Sequence, residues 1–180
     1  SRDTLFTDLG VFESFSPNIR QEDSTSPLIF LGNIQPDLQL VVAGKIHNPE
    51  YVVSDTMNLW IDLFPKKLTD VIRGSSIFLI NHEEAEQFTC KTDVVSAAQY
   101  LIDLGPRVVV IKMGAEGSYV SHNGRGVFVP VFPVERVLDP TGAGDSFAGG
   151  FMGYLSQTQN PDFIEAVIMG SAMASFCVEG

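Results

Sequence analysis

The sequence predicts an α/β sandwich built on a mainly parallel sheet, and three observations predict it. Short apolar runs alternate with helix-patterned segments along the 180 residues. Arg107-Val-Val-Val-Ile is apolar at every position after Arg107, as in a parallel strand buried on both faces. A single Asn123-Gly124 pair then marks one antiparallel hairpin.

Taken in order, Thr4 to Phe15 alternates only partly, so one or two strands are expected within residues 1–16. They would form a small lid or sheet edge, or else join the main sheet. Asn18 to Pro27 is polar and reads as a loop. Leu28-Ile-Phe-Leu reads as a central strand. Pro36 opens a helix running toward Gly44. Tyr51-Val-Val-Ser is a second strand, with Asp55-Thr-Met-Asn58 at its end. Pro65 to Arg73 is helical, and Ser76-Ile-Phe-Leu-Ile is a strand ending at Asn81. Asn81 to Phe88 starts a helix with acids in its first turn, where the dipole favours them. Asp93 to Leu104 follows, with an apolar stripe at Val94, Ala97, Ala98, Leu101 and Ile102. Ser118–Ser121 and Val127–Pro130 flank the hairpin turn. Gly144–Leu155 and Asp162–Phe176 are the last helices.

This length suits one domain, 1–180, and 44% apolar residues are enough for a core. No run of 18 apolar residues occurs, so no membrane-spanning helix is expected. Eleven Lys and Arg against 22 Asp and Glu give a net charge of −11. Such a surface argues against nucleic acid or an anionic membrane as partner. ATP is not excluded, since local N–H groups and a divalent ion hold phosphates on acidic proteins. Cys90 and Cys177 lack metal or redox spacing, which fits a cytoplasmic setting. His47, His82 and His122 form no triad or metal pattern.

The most informative run is Asp139 to Phe151, DPTGAGDSFAGGF. Gly142, Ala143 and Gly144 let backbone approach a ligand, and their N–H groups precede an apolar helix. Orphan N–H groups and the helix dipole together favour an anion there. Asp145 would repel a plain phosphate. Its natural use is as a general base, taking a proton from a hydroxyl that attacks a phosphoryl group. An aspartate carries its charge at neutral pH and can accept that proton.

Thr141-Gly-Ala-Gly-Asp-Ser-Phe-Ala-Gly-Gly-Phe resembles the C-terminal signature of the ribokinase-like (pfkB) family of carbohydrate and nucleoside kinases. The resemblance implies a ribokinase-like three-layer sandwich with a small β lid. It implies an ATP-dependent phosphotransferase acting on a hydroxyl of a small sugar or related polyol, or of a nucleoside. Asp145 would be the base beside the acceptor, and Gly142, Ala143 and Gly144 the anion hole. Asn81-His-Glu-Glu84 resembles the family's Asn-x-x-Glu motif: Asn81 would touch nucleotide phosphates and Glu84 would help hold hydrated Mg²⁺. Without the glycine run, the same residues read as an ordinary helix cap. Lys112-Met-Gly-Ala-Glu-Gly117 resembles the nucleotide loop, with Gly114 and Gly117 lining the ATP site. Lys112, where relatives often have a small hydroxyl residue, would either meet phosphate or point to solvent. Asp139 and Thr141 are where relatives bind a monovalent cation such as K⁺. Asn33 would face substrate or serve a turn, and Asp55 to Asn58 would line the nucleotide region or form a turn.

The family's domain is longer, and nothing here matches its N-terminal substrate segment. Residues 1–180 are therefore expected to form part of a kinase domain, with that segment and the C-terminal end of the nucleotide pocket lying outside it. A nucleotide-binding regulatory protein without turnover is a rival reading, against which Asp145 stands. A partial folding unit would need partner surface, and a homodimer would supply it.

Overall fold

The computed structural model describes Gly10 and residues 15–180. The lid strands expected within residues 1–16 fall on residues outside the described ones, apart from Gly10 and Phe15–Ser16, which are not strand. Six strands form one sheet: β1 Leu28–Leu31, β2 Tyr51–Ser54, β3 Ile77–Asn81, β4 Val108–Lys112, β5 Ser118–His122 and β6 Arg125–Val129. They lie in chain order across the sheet. β1 to β4 are parallel, and the β5–β6 hairpin extends the sheet antiparallel.

Parallel strands in chain order with right-handed crossovers place their connecting helices on one face. Those helices are α1 Pro36–Ala43, α2 Asn58–Leu63, α3 Pro65–Gly74, α4 His82–Thr89 and α5 Val94–Leu104. The other face is left for α6 Ala143–Gln157 and α7 Phe163–Glu179. Side-chain alternation along β3 separates the two cores. Phe78 and Ile80 join Leu68, Ile72 and Leu101 on one side, while Ile77 and Leu79 join Phe147, Phe151 and Val167 on the other. Fully burying each such side chain contributes about 1.5–3 kcal/mol. The result is a three-layer α/β/α sandwich, as the resemblance implies, on the mainly parallel sheet that the strand–helix alternation predicts.

β1 corrects one expectation. It is an edge of the six described strands rather than a central strand, and Phe30 stays 37% exposed. A four-residue apolar run does not distinguish edge from centre, whereas β3 and β4 are apolar and buried along both faces.

The α6–α7 crossing is unusually close because glycines face it. A Cβ on Gly150 would lie 2.6 Å from the Met169 carbonyl, and one on Gly170 would lie 2.8 Å from the Phe147 carbonyl. This contact fixes the axis of α6, and thereby the position of its N-terminus over the carboxyl ends of the strands.

Candidate active site

Asn81 ends β3 and Lys112 ends β4, and the parallel register sets them side by side. Asp55 follows the end of β2. Open α/β sheets bind ligands at this carboxyl edge. The N-terminus of α6 arrives at the same edge from the opposite layer.

Gly142 is the N-cap of α6, with φ 83° and ψ −3°. That left-handed conformation suits glycine and turns the chain sharply into the helix. The Ala143 N–H donates to the Pro140 carbonyl at 3.2 Å. Among the described residues no group accepts from the Gly142, Gly144 or Asp145 N–H. The donors of the expected anion hole are therefore the glycines, and Ala143 adds a small wall. Asp145 is exposed in the first turn of α6, where its charge is favoured.

A cavity of about 490 Å³ opens here. Its lining includes Asn81, Lys112, Gly114, Gly117, Ala143 and Gly144, which the sequence had suggested from three separate motifs. Val131, Phe132, Val134, Val137 and Val178 add an apolar wall. Size and lining suit a small ligand with an apolar ring and a polar end. Gly117 has φ 91°, and a Cβ there would strike the Val129 carbonyl and come within 2.9 Å of the Val131 nitrogen. The loop is pinned against the exit of β6 for that reason.

Asn81 and Glu84 form a reciprocal capping box. Asn81 Oδ1 accepts from the Glu84 N–H at 2.8 Å, and Glu84 Oε2 accepts from the Asn81 N–H at 3.1 Å. Burial pushes the Glu84 carboxyl up to about 7, with the Asp55 charge adding to the rise; the Asn81 N–H and the Lys112 charge oppose it. The capping and ligand readings of this motif thus coexist, because Asn81 caps the helix while lining the cavity.

Lys112 lines the cavity and is largely shielded from solvent. Its Nζ donates to Asp55 Oδ2 at 3.0 Å, and both side chains are largely buried. The same ammonium lies 6.0 Å from the Phe147 ring centroid, and a Cβ on Gly144 would sit 3.8 Å from it.

The remaining expected residues do not line the cavity. Asp139 Oδ1 accepts from the Thr141 N–H at 2.9 Å, which holds its carboxyl below the usual range. The Thr141 carbonyl takes a contact from Cys177 Sγ at 3.5 Å. Asn33 Oδ1 accepts from the Trp60 indole N–H at 2.8 Å, which satisfies a buried ring. Asn33 is a structural acceptor here and is not brought to the cavity. Among the described residues no group of three or more His, Cys, Asp or Glu could hold a metal ion. Glu84 alone still fits Mg²⁺, which takes one or two carboxylates plus waters and phosphates.

Sequence reasoning left Asp55 undecided and missed Gln39. Gln39 is buried, and its Nε2 donates to the carbonyls of Leu31, Gly32 and Asp55 at 2.9–3.0 Å. The signal for Asp55 was its place after a strand; an unremarkable Gln inside a helix gave none. The apolar wall at 131–137 was visible only as a Val- and Pro-rich segment without period.

A three-layer α/β/α sandwich with a glycine-capped helix over its carboxyl edge defines a phosphate-site architecture. The model of the pfkB family of carbohydrate kinases matches residues 40–180, and the chain belongs to that family. It is 36% identical to an uncharacterized sugar kinase of Archaeoglobus fulgidus over 61% of this chain and 42% of that protein. It is 27% identical to an adenosine kinase of Saccharomyces cerevisiae over 98% of this chain and 57% of that one. The crystal structure of aminoimidazole riboside kinase from Salmonella enterica superposes with a TM-score of 0.71 at 25% identity, covering 86% of this chain and 60% of that one. The chain spans about half the length of the curated relatives it matches. No helix among the described residues is long and apolar enough to cross a membrane.

Proposed function

We propose that the protein is an ATP-dependent kinase that phosphorylates a hydroxyl of a small sugar or related polyol. One observation supports this above the rest: Ala143 and Gly144 of the α6 N-terminal turn line one cavity together with Asn81, Lys112, Gly114 and Gly117, and Asp145 follows them in the first turn of the same helix. The nucleotide ring lies against Val131, Phe132, Val137 and Val178. Its phosphates run toward Asn81 and the α6 N-terminus. Asp145 takes the proton of the acceptor hydroxyl as the oxygen attacks the γ-phosphorus. The bond from that phosphorus to the β,γ-bridging oxygen breaks, and ADP leaves with the electron pair. The Gly142 and Gly144 N–H groups hold the charge spread over the transferring group. Glu84 would hold Mg²⁺ through a carboxylate oxygen or a bound water, and the ion would supply charge neutralisation. Asp139 and the Thr141 carbonyl are the groups that a K⁺ ion would use. A cytoplasmic setting fits this reading, supported by ATP as the donor and by two free cysteines.

A nucleoside acceptor is the second reading. It is favoured by adenosine kinases of two yeasts, which match over 98% of this chain, more than the sugar kinase does.

Turnover by the full-length protein is tested by ADP release against a panel of sugars, sugar acids and nucleosides. Asp145→Asn is expected to lower kcat about 10²- to 10⁴-fold with nucleotide affinity unchanged. Asp145 is exposed, so the melting temperature stays put. Full turnover by Asp145→Asn sinks the assignment.

A further inference from the structure

Lys112 and Asp55 form a largely buried ion pair at the carboxyl edge of the sheet. Apolar residues of similar volume are often as stabilising as such a pair or more so, and stability does not account for it. Three further observations point to a use. Asp55 engages one of the three ammonium hydrogens, and no other described group accepts from Nζ. The ammonium sits at the cavity wall, 3.8 Å from where a Gly144 side chain would begin. Asp55 itself is held from several directions. Its N–H donates to the Leu31 carbonyl at 3.1 Å, its carbonyl accepts from Gln39 at 3.0 Å, and its Oδ1 accepts from the Thr56 N–H at 2.8 Å.

We infer that Lys112 is a catalytic residue that binds the terminal phosphate of the nucleotide, and that Asp55 is the positioning residue that aims it. The inference rests on the kinase reading and adds to it a side-chain cation within the anion hole. Two ammonium hydrogens are left over by Asp55, at a cavity wall that Lys112 shares with Gly144. A phosphate oxygen held there accepts from backbone and from Lys112 together. Asp55 keeps the long side chain in one place, so little ordering remains when the nucleotide arrives. The Phe147 ring closes the apolar side of the ammonium.

The test is calorimetric titration of the full-length protein with ATP, ADP and adenosine, alongside steady-state kinetics. Lys112→Met is expected to lower the preference for ATP over ADP about 10- to 100-fold and to leave adenosine affinity unchanged. Lys112→Arg retains most of the preference. Asp55→Asn keeps the cation but loosens it, so kcat falls while the KM of the acceptor holds. A structural role alone would shift all three ligands together. Should Lys112→Met lose its fold, Lys112→Met with Asp55→Asn removes both charges, and the same ratio is read there. An unchanged ATP-to-ADP ratio, with ATP still bound, overturns the inference alone. Failure of the wild-type protein to bind either nucleotide overturns the kinase reading, and the inference with it.

Discussion

Replacing Glu84 with Gln separates the cost of burying its charge from the value of its cap. Gln keeps a side-chain oxygen for the Asn81 N–H and cannot ionise. In the folded chain the Glu84 carboxyl is pushed from its ordinary 4.5 to about 7, chiefly by burial. At about 1.4 kcal/mol per pH unit, that displacement corresponds to about 3 kcal/mol, and partial exposure of the side chain reduces it to about 2. The direction follows from linkage. The native state holds the proton more tightly than the unfolded chain, so the stabilisation is complete below pH 4.5. It is lost as pH rises through 7. Urea melts in metal-free buffer from pH 5 to pH 8 should therefore show wild type losing about 2 kcal/mol relative to Glu84→Gln, with the difference levelling above pH 8. Parallel profiles for the two proteins would refute the reasoning, because they would mean that Glu84 titrates alike folded and unfolded.

Two further outcomes are expected. Gly150→Ala puts a methyl group 2.6 Å from the Met169 carbonyl, 2.7 Å from Met173 Cγ and 3.0 Å from Gly170 Cα, and a shift of the Met173 side chain leaves the two backbone clashes in place. It should cost about 1–3 kcal/mol in chemical denaturation and raise the nucleotide KM by tilting α6. Gln39→Leu leaves the Gly32 and Asp55 carbonyls without the donor they share. It should cost about 1–3 kcal/mol by the same assay and lower kcat through Asp55.

Much of the layer order was legible because its signals are local. Alternating segments announced the parallel sheet, Asn123-Gly124 announced the hairpin, and each expected helix started within two residues of its place, while α2 Asn58–Leu63 was not expected because its start was read as a turn. Most of the site was legible for the same reason: Asn81, Gly114 and Gly142–Asp145 sit where strands stop or helices begin, and turn chemistry marks those points. What sequence could not show depends on distance. Lys112 and Asp55 are 57 positions apart, and neither predicts the other. Whether Lys112 reached phosphate or solvent depended on a partner two strands away. The partner of Asn33 was hidden for a related reason, since its acceptor oxygen meets Trp60, a residue placed near it only by folding. Nor could sequence place β1 at an edge, because neighbours determine that, not the strand's own residues.

The composition also misleads about the field at the site, and this has a consequence for metal removal. A net charge of −11 disfavours anions at long range. Around the cavity, however, the Asp55 charge is offset by Lys112, and Glu84 is largely protonated below pH 7. Unpaired N–H groups of α6 add positive potential. The local balance is therefore set by pH through Glu84. On the proposed reading its carboxylate would stand near the phosphates above pH 7, and a divalent cation would offset it. With Mg²⁺ removed by chelation, ATP affinity should fall as pH rises from 6 to 8, and Glu84→Gln should flatten most of that fall. With Mg²⁺ restored, the wild-type slope should match that of the Gln variant. The Gln variant also controls for the titration of ATP itself, which affects both proteins alike. Equal slopes for the two proteins in chelator would show that Glu84 does not face the phosphates, and Mg²⁺ would then need another carboxylate.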